Sequence, residues 1–193
     1  DGRLAFAIGD VSGKGVPGAL VMAMTLTLLK ATARTTQSVS ECLRTVNKLL
    51  CEENDATFFV TLFYGVLEIS TGKVTYANAG HPPPYLLSPT QQLTALAPTG
   101  GLILGVFDDA QYEEVEADLR SGEGLLLYTD GVTEAMNEAR GFYGDDRLFS
   151  VLRGVSGMAA TPLVKHVVTD VESFTGATQR HDDLPMLALR YLG

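Results

Sequence analysis

The stretch FFVTLFYGVLEISTGKVTYA, Phe58 to Ala77, decides how the rest of the chain is read. Its arms, Phe58 to Ile69 and Lys73 to Ala77, are rich in β-branched and aromatic residues, and Ser70-Thr71-Gly72 between them is a turn signal. An antiparallel sheet is the natural reading. Upstream, Val39 to Glu53 follows Ser38, a suitable N-cap, and places Val39, Cys42, Leu43, Val46, Leu49 and Leu50 on one helical face. Such an amphipathic helix packs on something flat. Ala19 to Ala33 is broadly apolar and reads as a buried helix, entered from a strand, Arg3 to Ile8, through a loop punctuated by Gly13, Gly15 and Gly18. Downstream, strands are expected at Pro84 to Leu87, Leu93 to Ala97, Tyr112 to Leu119 and Gly124 to Tyr128, with a glycine loop from Gly100 to Gly105 among them. Helices follow at Arg147 to Arg153 and Thr161 to Phe174, then a last strand from Leu184 to Leu192. Strands in blocks and helices in blocks make the chain α+β.

The length of 193 residues and the 46% hydrophobic content suffice for one substantial core. A net charge of −9, with no basic cluster, argues against a nucleic-acid partner. No run of about 18 uninterrupted apolar residues is present, and no signal-like segment opens the chain, so a cytoplasmic protein without a membrane span is expected. Cys42 and Cys51 lie nine residues apart in a helical pattern, which suits reduced core thiols rather than a zinc site or a disulfide. Asp1-Gly2 suits a hairpin turn, a turn implies a preceding strand, and no methionine opens the chain. The sequence therefore reads as a single domain over residues 1–193, truncated at its N-terminus from a longer protein, with its first strand missing.

Three acidic positions sit where an apolar strand meets a turn: Asp10 after Leu4 to Gly9, Asp130 after Leu125 to Thr129, and Asp182-Asp183 before Leu184 to Leu189. Clustered carboxylates repel one another, so such a set stays ionised mainly where cations neutralise it. All-oxygen donors favour Mg²⁺ or Mn²⁺ over Zn²⁺. A pair of these ions activates water and clamps phosphate oxygens. Taken singly, each aspartate reads equally well as a cap or turn residue.

Four ordered runs carry a family likeness: Gly9-Asp10-Val11-Ser12-Gly13-Lys14-Gly15-Val16-Pro17-Gly18-Ala19, Asn78-Ala79-Gly80-His81-Pro82-Pro83-Pro84, Tyr128-Thr129-Asp130-Gly131-Val132-Thr133-Glu134-Ala135, and Asp182-Asp183 before a final strand. The chain resembles the type 2C (PPM) phosphatases, in the bacterial branch typified by the stage II sporulation protein E and RsbU regulators. That resemblance implies two packed antiparallel sheets flanked by helices in a four-layer sandwich. It implies two Mn²⁺ or Mg²⁺ ions in an intact domain, bridged by Asp10, with the Val11 carbonyl on one ion and Asp130 and Asp182 on the other. Asp183 is their neighbour. Asp10, Asp130 and Asp182 would then serve a metal-bridging water that hydrolyses phosphoserine or phosphothreonine. The implied substrate is a small STAS-type regulator, of the anti-sigma-factor antagonist kind, and the implied upstream partner in the full chain is a sensory or receiver domain. The alternative is a catalytically weak module of the same fold that acts as a partner-binding output domain. A hydrolase of small phosphate esters is the third reading.

The sequence departs from the family in three places. The acidic ligand of the upstream strand lies before the chain begins, which leaves one ion site incomplete. Ser12 stands where eukaryotic members carry a histidine, and Pro185 replaces the threonine of the usual last motif, removing a backbone donor. Other readings are weaker. Gly9 to Lys14 has the wrong spacing for a P-loop, and Ser12 has no Ser-His-Asp partners. His81, before three prolines, reads as part of a shaped loop, His181 as a neighbour that orients Asp182, and His166 as a surface residue. Lys14 reads equally as a contact for a substrate phosphate or as a solvated loop lysine, and Glu134, Asp145 and Asp146 read as solvated or capping acids.

Overall fold

A computed structural model describes residues 2–53, 58–90, 92–155, 157–176 and 183–193. In chain order the elements are β1 (Arg3–Val11), α1 (Gly15–Thr32), α2 (Val39–Glu53), β2 (Val60–Glu68), β3 (Lys73–Ala79), β4 (Tyr85–Leu87), β5 (Leu93–Ala95), β6 (Val115–Asp118), β7 (Gly124–Tyr128), α3 (Asp130–Thr133), α4 (Asp145–Arg153), α5 (Ala160–Thr175) and β8 (Met186–Arg190). They fall into two compact units, Asp1–His81 with Ala97–Asp118, and Pro82–Leu96 with Leu119–Gly193. Each unit holds one four-stranded antiparallel sheet, ordered β1-β2-β3-β6 in the first and β5-β4-β7-β8 in the second. The expected hairpin is β2–β3, and the helical and strand blocks fall near where the sequence places them: β7 matches, β1 and β3 run on to Val11 and Ala79, the other strands are trimmed by one to three residues at an end, and α1 begins at Gly15 rather than Ala19. The short α3 was not anticipated. Asp130, read as a turn residue, opens it.

In the first unit, register separates the two faces of the sheet, because opposed residues share a face. Ala7, Val11, Val60, Leu62, Tyr64, Ala77 and Ala79 face one way and pack in a core with Val39, Cys42, Leu43, Val46 and Leu50 of α2 and Leu29 of α1. The other face carries Phe6, Ile8, Phe63 and Tyr76, with Phe63 stacked on Phe6 at 6.2 Å and on Tyr76 at 5.3 Å. Asn47, fully buried on α2, accepts the Gly105 N–H at 2.9 Å and donates to the Phe107 carbonyl at 2.7 Å, which ties the glycine-rich loop to the helix. Both cysteines are free thiols. Burial pushes the Cys42 thiol up to about 11, so it stays protonated and inert at neutral pH.

Ser38 caps α2 as expected, its hydroxyl accepting the Glu41 N–H at 3.2 Å. A second cap comes from far along the chain. Glu114 accepts the Ser40 N–H at 3.0 Å and the Ser38 hydroxyl at 2.9 Å. The Ser40 N–H foremost, against a smaller opposing effect of burial, holds this carboxyl below the usual glutamate value. A carboxyl whose pKa is lower folded than unfolded stabilises fully above its unfolded value and loses that contribution as pH falls through the folded one. Glu114→Gln is therefore expected to lower stability at neutral pH by about 1 kcal/mol, the usual scale of a cap. The gap between mutant and parent should close in urea titrations run at progressively more acidic pH. A gap that stays constant below pH 4 would refute the assignment.

The helix α1 departs from expectation. By length and composition it is long and apolar enough to cross a membrane, with mean hydropathy 1.4 over its 18 residues. The sequence predicts a buried helix, yet only Gly18, Thr25, Leu29 and Thr32 are buried, a single stripe along it. Val16 and Leu20 are 72% and 66% exposed. An apolar composition on every side cannot tell which side finds a partner; in this unit that stripe is buried and Val21, Met22, Met24 and Leu28 pack half-buried against the core beside it.

In the second unit, all five residues of β7 are buried. Leu126 and Tyr128 pack with Val132, Leu148, Leu152, Leu163 and Val167, so α4 and α5 cover that face of the sheet. Tyr143 and Arg147 lock the two helices together. The Tyr143 hydroxyl donates to Asp170 at 2.7 Å, and Arg147 donates to the same carboxylate at 2.9 and 3.1 Å.

Candidate metal centre

Asp10 is the penultimate residue of β1, and the ladder there runs Asp10↔Thr61 and Val11↔Val60. Past the strand end, the Ser12 N–H donates to the Phe59 carbonyl at 2.9 Å, while the Ser12 hydroxyl accepts the Phe59 N–H at 2.9 Å. That hydroxyl therefore clamps β1 to the approach of β2, a structural use consistent with the absence of nucleophile partners. The chain then turns through Gly13, where a Cβ would stand 2.2 Å from the Phe58 ring, into Gly18, where a Cβ would stand 2.5 Å from the Gly13 carbonyl oxygen. Only glycine lets the start of α1 return this closely upon the strand end. Lys14 is the exposed residue before α1.

The second unit brings two of the predicted acidic positions together. β7 pairs with β8 up to Tyr128↔Met186, and one step on the Thr129 N–H donates to the Pro185 carbonyl at 3.3 Å. Pro185 thus lies at the mouth of β8, opposite Thr129, and has no N–H with which to return that bond, so the paired ladder stops at Tyr128↔Met186. A Cβ on Gly131 would stand 2.4 Å from the Asp183 carbonyl oxygen. Asp130-Gly131 and Asp183 are therefore backbone neighbours, with both aspartates exposed. Asp182 and His181 lie outside the described residues. Among the described residues no group of three or more His, Cys, Asp and Glu is gathered to hold a metal ion.

The donor set fits a hard cation. Every predicted ligand offers oxygen, the described ones stand at strand ends, and the missing side chain at Gly131 leaves the Asp183 backbone room beside Asp130. His81 is buried, with its Nδ1 hydrogen-bonded to Thr61 Oγ1 at 3.0 Å. His166 is exposed, as expected, and Asp145 receives the Tyr128 hydroxyl at 3.3 Å at the start of α4. The sequence reading missed Thr61 altogether. A small polar side chain within an otherwise apolar and aromatic strand is the one signal the sequence offers.

Comparison with known proteins agrees with this arrangement of motifs. The model for stage II sporulation protein E (SpoIIE) matches residues 1–192. Phosphoserine phosphatase RsbU of Bacillus subtilis is 31% identical over 184 residues, which cover 95% of this chain and 54% of that protein. The chain thus spans about half the length of that relative. Among solved structures, the SiaA-PP2C domain of Pseudomonas aeruginosa superposes with a TM-score of 0.84 at 19% identity, covering 98% of this chain and 80% of that one. RsbX in complex with magnesium superposes with a TM-score of 0.69 at 20% identity, covering 97% and 81%. These likenesses show the fold of a PP2C domain, α+β with antiparallel sheets flanked by helices. With four motifs in order and a match along its whole described length, the chain belongs to the stage II sporulation protein E family.

Proposed function

We propose that this chain is the catalytic domain of a metal-dependent phosphoserine/phosphothreonine protein phosphatase. The observation that carries the reading is the seating of Asp130-Gly131 against the Asp183 backbone at the open end of β7 and β8. The RsbU relative, named a phosphoserine phosphatase, supports it. Mg²⁺ or Mn²⁺ would be held by Asp10 and the Val11 carbonyl in the first unit, and by Asp130, Asp182 and Asp183 in the second. When bound, such ions neutralise phosphoryl oxygens and make water acidic enough to attack at neutral pH. The protein's own part is to present carboxylates from rigid strand ends, so that little reorganisation is needed when charge develops.

The substrate class that suits the family is a small bacterial regulatory phosphoprotein of the STAS type, met in the cytoplasm, with an input domain elsewhere in the same polypeptide. Hydrolysis of a phosphoserine peptide and of p-nitrophenyl phosphate, each with and without Mn²⁺ and with excess chelator, tests the reading. Turnover should require the metal and stop on chelation, and the melting temperature should rise with Mn²⁺, because an ion bound only by the folded state stabilises it. Absence of both responses would instead favour a binding module of the same fold.

A further inference from the structure

The sheet face that carries Phe6, Phe63 and Tyr76 turns polar toward the end of β1, where Asp10 and Thr61 are directly opposed and therefore point to one side. Thr61 Oγ1 is 3.0 Å from Nδ1 of His81, which is 4% exposed. The loop holding this imidazole is itself pinned. Asn78 donates its side-chain amide to the His81 carbonyl at 2.7 Å and accepts the His81 N–H at 2.7 Å. Asn78 is anchored on β3 opposite Phe63, and its own N–H donates to Thr99 Oγ1 at 2.9 Å. A threonine side chain in a strand is stiff at χ1, and its hydroxyl is free to rotate unless a partner fixes it. Here a buried ring on a clamped loop fixes it, directly across the ladder from Asp10.

We propose that Thr61 and His81 are positioning residues for Asp10: His81 Nδ1 sets the Thr61 hydroxyl, and Thr61 sets the polar wall beside which the Asp10 carboxylate receives a divalent cation. The inference rests on the reading of Asp10 as a metal ligand. Partners that orient a ligating group from behind typically change metal affinity or activity by about 10–100-fold when removed. His81 acts through Thr61, so its removal weakens the ion rather than the chemistry once the ion is bound.

The test is Mn²⁺ binding to the 193-residue chain, read from the electron paramagnetic resonance signal of free Mn²⁺, with turnover of p-nitrophenyl phosphate at saturating Mn²⁺ measured alongside. Asp10→Asn is the reference and should weaken binding by about a hundredfold or more. Thr61→Val and His81→Ala should each weaken it by about tenfold, and the double variant by no more than either alone within about threefold, since one hydrogen bond is removed in all three. Thr61→Ser and His81→Asn, which keep a polar atom at the Oγ1 and Nδ1 positions, should bind within about threefold of the parent. Turnover of His81→Ala at saturating Mn²⁺ should fall less than about tenfold, below the 10²–10⁴-fold usual for general acid–base catalysis. Should Thr61→Val fail to fold, the contrast between His81→Ala and His81→Asn carries the same test.

Parent-like binding by Thr61→Val and His81→Ala, with Asp10→Asn defective, overturns the positioning role and leaves the ligand assignment standing. Additive losses in the double variant also overturn it, and so does rescue by His81→Gln but not His81→Asn. A loss near a thousandfold in saturated turnover would make His81 an acid–base group instead. Parent-like binding by Asp10→Asn removes both the inference and the reading beneath it.

Discussion

Asp10→Asn is expected to abolish metal-dependent phosphatase activity, by about a thousandfold or more, while the protein stays folded. The substitution keeps the shape of the side chain and removes its charge. Losing about 4 kcal/mol of the stabilisation that bound ions give the transition state corresponds to roughly that factor. Asp10 lies at the end of a nine-residue strand paired along its length with β2, so the fold has ample support without its carboxylate. Thermal melting separates the two effects. The metal-free melting temperature should match the parent within a few degrees, and the rise on adding Mn²⁺ should vanish. Near-normal turnover in this variant would end the assignment of Asp10 as a ligand.

The second large effect is expected at a residue with no side chain. Gly131→Ala places a methyl group 2.4 Å from the Asp183 carbonyl oxygen, and backbone rather than a flexible side chain stands in the way. Either α3 or the approach to β8 must shift. Overpacking of this kind costs about 1–3 kcal/mol, which for a chain of this size lowers the melting temperature by roughly 2–12 °C. The displacement falls on Asp130 and Asp183 themselves, so metal-dependent turnover should drop by at least about tenfold even where the protein is fully folded. Gly154→Ala is the control, since its nearest neighbour outside the chain bond is 3.5 Å away and its φ of −79° suits alanine. Equal behaviour of the two variants in both melting and turnover would show that the close approach at Gly131 does not matter.

Much of this molecule is legible without coordinates because its signals are local. The β2–β3 hairpin, the cap at Ser38 and the amphipathic face of α2 each depend on residues a few positions apart, and each stands where the sequence places it. Asp10 at the end of β1 and Asp130 just past β7 also stand where the apolar runs stop, while Asp182 lies outside the described residues. Failures begin where one side of an element must be chosen. In α1 nearly every position is apolar, so composition could not say that the buried stripe runs through Gly18, Thr25, Leu29 and Thr32 and leaves Val16 and Leu20 in the open.

What the sequence determined by itself is the order of strands and helices, the family of motifs and the residue types able to hold a hard cation. Those follow from periodicity, turn chemistry and charge, which are properties of short stretches. The tertiary structure alone decided that Glu114 caps a helix beginning 75 residues earlier, that Gly131 backs onto Asp183, and that Thr61 meets His81 across 20 residues of chain. Each of these pairings depends on strand register and on which face an element turns inward. A shift of one residue would send every side chain of a strand to its other face, and only the packed molecule selects between the two.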